Sequence, residues 1–232
     1  MSSTAVQRPP ITCTLVPYPG APKTVSIRSL MAEDEYEKAC SAFEFHKLAD
    51  SEKHLRKALQ RSPLDGFGWV MLGKILLVTA RLDEASKACA EAVLREPSYW
   101  PGTICLAEIE ARKQNWKGSL EQSDRAVSLN PDSKRVAYYI SAVALYNLNN
   151  IREAEYRALE AERLDVAHQF MTLRLLLAQI DEARGDWRAA MTQLRDCLTY
   201  ANKSVEGKLA KEELARIGNT PIDVQSTRPA SH

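Results

Sequence analysis

Nine sulfur and imidazole side chains could carry nucleophilic, acid–base or metal chemistry in the 232-residue chain: Cys13, Cys40, Cys89, Cys105, Cys197, His46, His54, His168 and His232. Metal binding needs such ligands at short, fixed intervals, and no Cys-x2-Cys, His-x3-His or mixed Cys/His spacing occurs. Cys40 and His46 are the nearest thiol and imidazole, but six residues apart on a helix they point to different sides. A general base must lie within hydrogen-bond reach of its nucleophile, so this pair is not expected to work together. The nine glycines are scattered and form no phosphate-cradling loop. Asn202-Lys203-Ser204 matches a glycosylation acceptor, which has meaning only in a secreted chain. An odd number of cysteines without a Cys-x2-Cys pair argues against a disulfide framework, so reduced, packed thiols are expected. The expectation is a protein that is not an enzyme and uses no metal and no cofactor.

Composition narrows the classes further. The chain has 31 Lys+Arg against 30 Asp+Glu, with 45% hydrophobic and 26% charged residues, an ordinary globular balance. A net charge of +1 supplies no general attraction to nucleic acid or to an anionic membrane. The longest apolar run, ILLVTA at Ile75–Ala80, is far short of the roughly 18 residues a membrane helix needs, so no membrane insertion is expected. The start, MSSTAVQRPP, does not read as a secretory signal. A cytoplasmic location follows for a complete chain, and an extracytoplasmic one stays open for an excised fragment.

Such chemistry-poor sequence directs attention to the elements. Residues 1–31 hold five prolines (Pro9, Pro10, Pro17, Pro19, Pro22), three basic residues (Arg8, Lys23, Arg28) and no acidic one, which predicts an extended or disordered arm. From Ala32 to about Gly218 the helix formers Ala, Leu, Glu, Lys and Arg dominate. The tail 218–232 returns to polar residues with Pro221 and Pro229 and is expected to be disordered.

Self-similarity then organises the helical region. Pro63, Pro97 and Pro131 are spaced by 34 residues, as are Ala58, Ala92 and Ala126, and Ala39, Gly73 and Ala107. The segment 66–99 carries Trp69, Leu72, Gly73, Leu76, Ala85, Ala92 and Pro97. That pattern resembles the tetratricopeptide-repeat (TPR) family. The physics is complete without the name: small residues at the eighth, twentieth and twenty-seventh positions let two antiparallel helices approach, and proline ends the second helix. Each helix pair leaves an apolar face that only stacking covers. The resemblance implies an all-α, right-handed superhelical solenoid of about five helix pairs. The windows are about 32–65, 66–99, 100–133, 135–168 and 171–203, followed by a capping helix at 204–217. In that cap Val205, Leu209, Leu214 and Ile217 read as one apolar stripe.

In the resembled family the first helix of each pair lines a concave groove. Carried over position by position, this gives a candidate peptide-binding groove of Tyr36, Phe43, Phe67, Val70, Lys74, Leu77, Ile104, Glu108, Arg112, Tyr139, Val143, Tyr146, Asn147, Leu175 and Gln179. The lining is apolar and aromatic with isolated charges. Chaperone adaptors of the family grip acidic C-terminal peptides with Lys and Asn at the fifth and ninth positions of the first repeat. Tyr36 and Cys40 stand there in this chain, so that clamp is not expected. An apolar groove of this extent marks a binding site.

Two functions follow. The first is a non-catalytic interaction scaffold whose groove takes a protein or peptide partner. The second is a structural or homodimer-forming segment of a larger bacterial protein, its groove filled by its own N-terminal arm. Residues 24–30, TVSIRSL, bear a short likeness to the lead-in of bacterial multidomain envelope TPR proteins. The arm carries apolar Ile11, Leu15, Val16, Tyr18, Val25 and Ile27; it reads either as a linker or as a docked segment.

Overall fold

The computed structural model describes residues 30–165 and 170–218; the arm, the tail, Val166 and His168 lie outside the described residues. Eleven α-helices and one 3-10 turn make up these residues. They are α1 (Leu30–Glu44), α2 (Leu48–Arg61), α3 (Gly66–Val78), α4 (Leu82–Arg95), α5 (Trp100–Arg112) and α6 (Trp116–Leu129). After the turn Pro131–Ser133 come α7 (Lys134–Asn147), α8 (Ile151–Arg163), α9 (Met171–Ala183), α10 (Trp187–Ala201) and α11 (Val205–Gly218). No strand occurs among the described residues. The chain divides into two compact units, Met1–Ala144 and Leu145–His232.

The repeat period has a local cause in the turns. His46, Ala80, Gln114, Asn149 and Gly185 all have positive φ, between 57° and 80°. They follow one another at intervals of 34, 34, 35 and 36 residues. Each ends the first helix of a pair, with its N–H on a carbonyl three residues back and the next residue's N–H on a carbonyl five back. Thus Ala80 donates to Leu77 at 3.1 Å and Arg81 to Leu76 at 2.9 Å, and Gly185 and Asp186 repeat the pattern on Glu182 and Asp181. This left-handed closure satisfies the orphan carbonyls of the helix end. The second helices α2, α4 and α6 stop at Arg61, Arg95 and Leu129, each two residues before a proline.

Within the N-terminal unit α1 packs on α2, α3 on α4 and α5 on α6, while α2 meets α3, and α5 meets both α3 and α4. Close approach needs small side chains at the crossings. Ala39, Ala107, Ala58, Ala92, Ala126 and Ala85 are fully buried there. Serine takes the same role at Ser51 and Ser119, and the Ser51 hydroxyl donates to the Ala39 carbonyl at 2.8 Å across the first pair. Around these contacts Tyr36, Leu55, Met71, Ile75, Trp100, Ile104 and Ile109 fill the core. Each such side chain contributes about 1.5–3 kcal/mol on burial.

One expectation is overturned here. Cys89 of α4 and Cys105 of α5 form a disulfide, with Cα atoms 5.9 Å apart. The odd cysteine count hid it because the pairing arises in space, where α4 crosses α5 above Gly73. A β-carbon at Gly73 would sit 2.2 Å from the Cys89 sulfur and 3.0 Å from that of Cys105. Cys197, in contrast, is a free, buried thiol whose pKa burial raises.

In the C-terminal unit α9 packs on α8 and α10, and α11 packs on α10 with a lesser contact to α9. Its core includes Ala178, Ala190, Leu194, Cys197, Ala210 and Ile217. The apolar stripe of α11 differs from the expected one. Gly207, Ala210 and Ile217 are buried and Leu214 packs beside them, whereas Val205 and Leu209 are exposed. The buried stripe begins at a glycine, which a hydrophobicity pattern cannot register.

Candidate functional site

The fifteen candidate groove residues fall into three groups. Tyr36, Val70, Leu77 and Ile104 are buried, at 0%, 0%, 8% and 0% exposure, and are core rather than open surface. Tyr36 shows why. Its ring packs edge-to-face on Phe67 with centroids 6.0 Å apart, and its hydroxyl lies where a β-carbon of Gly68 would be. The first residues of α3 therefore cover a side chain that, judged on α1 alone, would be exposed.

A second group stays half-buried in the N-terminal unit: Phe43 on α1, Phe67 and Lys74 on α3, Glu108 on α5, and Tyr139 and Val143 on α7. Phe43, Phe67 and Tyr139 rest against the core beneath them. Their bodies are thus fixed while one side of each is accessible. Arg112, in the last turn of α5, is exposed. The ammonium of Lys74 binds the Glu108 carboxylate, and the two side chains are only 14% and 24% exposed. The lysine charge is thereby paired within the fold.

The remaining candidates belong to the C-terminal unit, where Tyr146 and Leu175 are half-buried and Asn147 and Gln179 exposed. Here Tyr146 and Gln179 do come together, in a surface depression of about 460 Å³ shared with Glu182, Ala183, Trp187, Glu213 and Arg216. Arg216 of α11 pairs with Glu182 of α9 and with Glu213 of its own helix. Those carboxylates raise the guanidinium pKa, chiefly through the Glu182 hydrogen bond. Trp187, Glu213 and Arg216 were not among the candidates. A signal existed: Arg216 follows Glu182 by 34 residues, so extending the repeat period into the cap finds it.

Trp69, Trp116 and Trp187, near the starts of α3, α6 and α10, are half-buried. The Trp69 indole donates to the Pro63 carbonyl at 2.8 Å, and Arg95 stands over its ring at 6.0 Å. Trp100 is the one at 1% exposure. His46 occupies a turn and His54 engages the Glu35 carboxylate at 2.7 Å. No group of three or more metal-ligating side chains is gathered among the described residues. No helix among them is long and apolar enough to cross a membrane.

No family model and no curated protein matches the chain. Solved structures do. The chain is similar to TTC0263, a thermophilic TPR protein of Thermus thermophilus, at 17% identity over 80% of this chain and 98% of that one, with a TM-score of 0.69. Yeast Tom70 is similar at 20% identity over 81% of this chain and 40% of that one, with a TM-score of 0.66. YrrB, a TPR protein with an unusual peptide-binding site, is similar at 16% identity over 78% and 92%, with a TM-score of 0.53. What these proteins share with the chain is the fold.

Proposed function

We propose that this chain, whose fold is that of the tetratricopeptide-repeat proteins, is a non-catalytic interaction scaffold that binds an apolar peptide segment on the first helices of its N-terminal unit. One observation carries the reading: Phe43, Phe67 and Tyr139 on the first helices α1, α3 and α7 rest against the core yet stay partly accessible, with Val143 half-buried beside Tyr139's turn of α7. The Lys74–Glu108 pair beside them leaves little net charge to select an acidic ligand. Burying such rings returns about 25 cal/mol per Å² of apolar area before ordering costs. Rigid aromatic anchors lose little side-chain entropy in doing so. The peptide-binding site of YrrB supports the reading by analogy of fold alone.

A peptide array of extended sequences tests this. Binders enriched in Leu, Ile, Phe or Tyr are expected, with affinity lost in Phe67→Ala and Tyr139→Ala while circular dichroism stays helical. Retention of only acidic C-terminal peptides sinks the reading.

A further inference from the structure

We infer that residues 9–29 of the chain itself occupy the apolar surface of the N-terminal unit, so that a partner must displace them. The inference rests on the proposed peptide-binding surface and names its resident occupant. Three observations converge on this segment.

The first is chemistry. The segment PPITCTLVPYPGAPKTVSIRS supplies Ile11, Leu15, Val16, Tyr18, Val25 and Ile27, which suit a surface built from Phe43, Phe67 and Tyr139. A proline-rich ligand has fewer backbone states to lose on docking than an ordinary one.

Charge is the second. Residues 1–29 hold three of the 31 basic side chains and none of the 30 acidic ones, so the remainder has 28 against 30. The arm is positive and the body it would lie on slightly negative, with Asp34, Glu37 and Glu44 outnumbering Lys38 among the exposed charges of α1, while Arg112 on α5 is an exposed cation. The third is reach. The arm enters at Leu30, the start of α1, and Phe43 lies thirteen residues further along that helix, about 20 Å at 1.5 Å per residue. Neighbouring packed helices stand about 10 Å apart. Crossing from α1 to α7 by way of α3 and α5 then takes roughly ten residues at about 3.3 Å each. The arm has 29. Tethering places it at a millimolar effective concentration, so even weak contacts keep it docked.

The test uses the full-length chain and a fluorescein-labelled synthetic peptide of residues 9–29 in reducing buffer. In the wild type the tethered arm competes with the probe. In an Ile11→Asp, Leu15→Asp, Tyr18→Asp variant it does not, and the probe should bind about tenfold more tightly. Adding Phe67→Ala to that variant should remove the gain. A benzoylphenylalanine photo-crosslinker at position 18 should give intramolecular adducts on α1, α3, α5 or α7. Equal probe affinity for wild type and variant, probe binding to neither, or adducts confined to the second helices of the pairs would each overturn the docked arm. None of these touches the peptide-binding reading, which stands or falls on the apolar peptide array with the arm-released variant.

Discussion

Lys74 of α3 and Glu108 of α5 are ion-paired although 34 residues separate them, one full repeat. Both are ninth residues of their units, so the pair runs between equivalent places on neighbouring first helices and joins one unit to the next. The same interval recurs in the C-terminal unit, where Glu182 of α9 meets Arg216 of α11. In that register α11 stands as the first helix of an unfinished unit. Charged residues on first helices thus serve stacking before they serve any ligand.

Removing one partner of the Lys74–Glu108 pair takes a charged neighbour from the other, partly buried group. Lys74→Ala should cost about 1 kcal/mol, and Lys74→Ala with Glu108→Ala less than the two single losses together. Chemical denaturation of the four chains forms the cycle. Additive losses would show that the pair contributes nothing to stacking.

The turns offer a gain. Ala80 holds φ at 59°, where a β-carbon is unfavourable and glycine is not. Ala80→Gly should therefore stabilise the chain by about 0.5–1 kcal/mol. Gly185→Ala should cost a similar amount for the backbone alone, because nothing lies within 4 Å of its missing β-carbon. A lower melting temperature for Ala80→Gly would refute the left-handed closure at that turn.

These turns also show how much was legible in the residues. Small residues recurring at crossings announce the helix pairs because only Ala, Ser or Gly fits there, as at Ala39, Gly73 and Ala107. The turn conformation was hidden, since four of its five positions carry His, Ala, Gln and Asn instead of glycine. The site was read less well for the same kind of reason. Tyr36 and Ile104 lie at groove-facing positions of their own helices, but burial is decided by the neighbouring unit, as Gly68 and Phe67 decide it for Tyr36. Cys89 and Cys105, 16 residues apart, carry no local signature of their pairing.

Two buried carboxyls set opposite pH dependences. Glu35 accepts hydrogen bonds from His54 and then Lys38, which hold its pKa down at about 2 against 4.5. A depressed acid contributes stability that is full above pH 4.5 and lost as pH falls towards 2. Asp181 goes the other way. Burial, then the charge of Asp186, raises it from 3.8 to about 6, with the Arg184 guanidinium no nearer than 3.9 Å. The folded state then binds the proton more tightly than the unfolded one, so stability is lost as pH rises from 3.8 through 6. Asp181→Asn should be more stable than wild type by about 1–3 kcal/mol at pH 7, and the gap should close towards pH 4. A gap that does not change with pH would exclude this account of Asp181.

The cap depends on one glycine. A β-carbon on Gly207 would stand 2.1 Å from the carbonyl oxygen of Ala201, a backbone atom that cannot rotate away. Gly207→Ala must therefore push the start of α11 off the end of α10. It would also strain the hydrogen bond that the Ser204 hydroxyl accepts from the Gly207 N–H at 3.2 Å. Displacement uncovers Ala210 and Ile217, both fully buried, and separates Arg216 from Glu182. The overpacking should cost about 1–3 kcal/mol. Hydrogen exchange locates the damage, with protection falling in α9, α10 and α11 and holding in α1 to α4. Gly218→Ala is the control, because no atom lies within 4 Å of its added β-carbon and exchange should not change. If Gly207→Ala were equally silent, α11 would not be seated on α10 through this contact, and the apolar end of the last helix pair would have to be covered in another way.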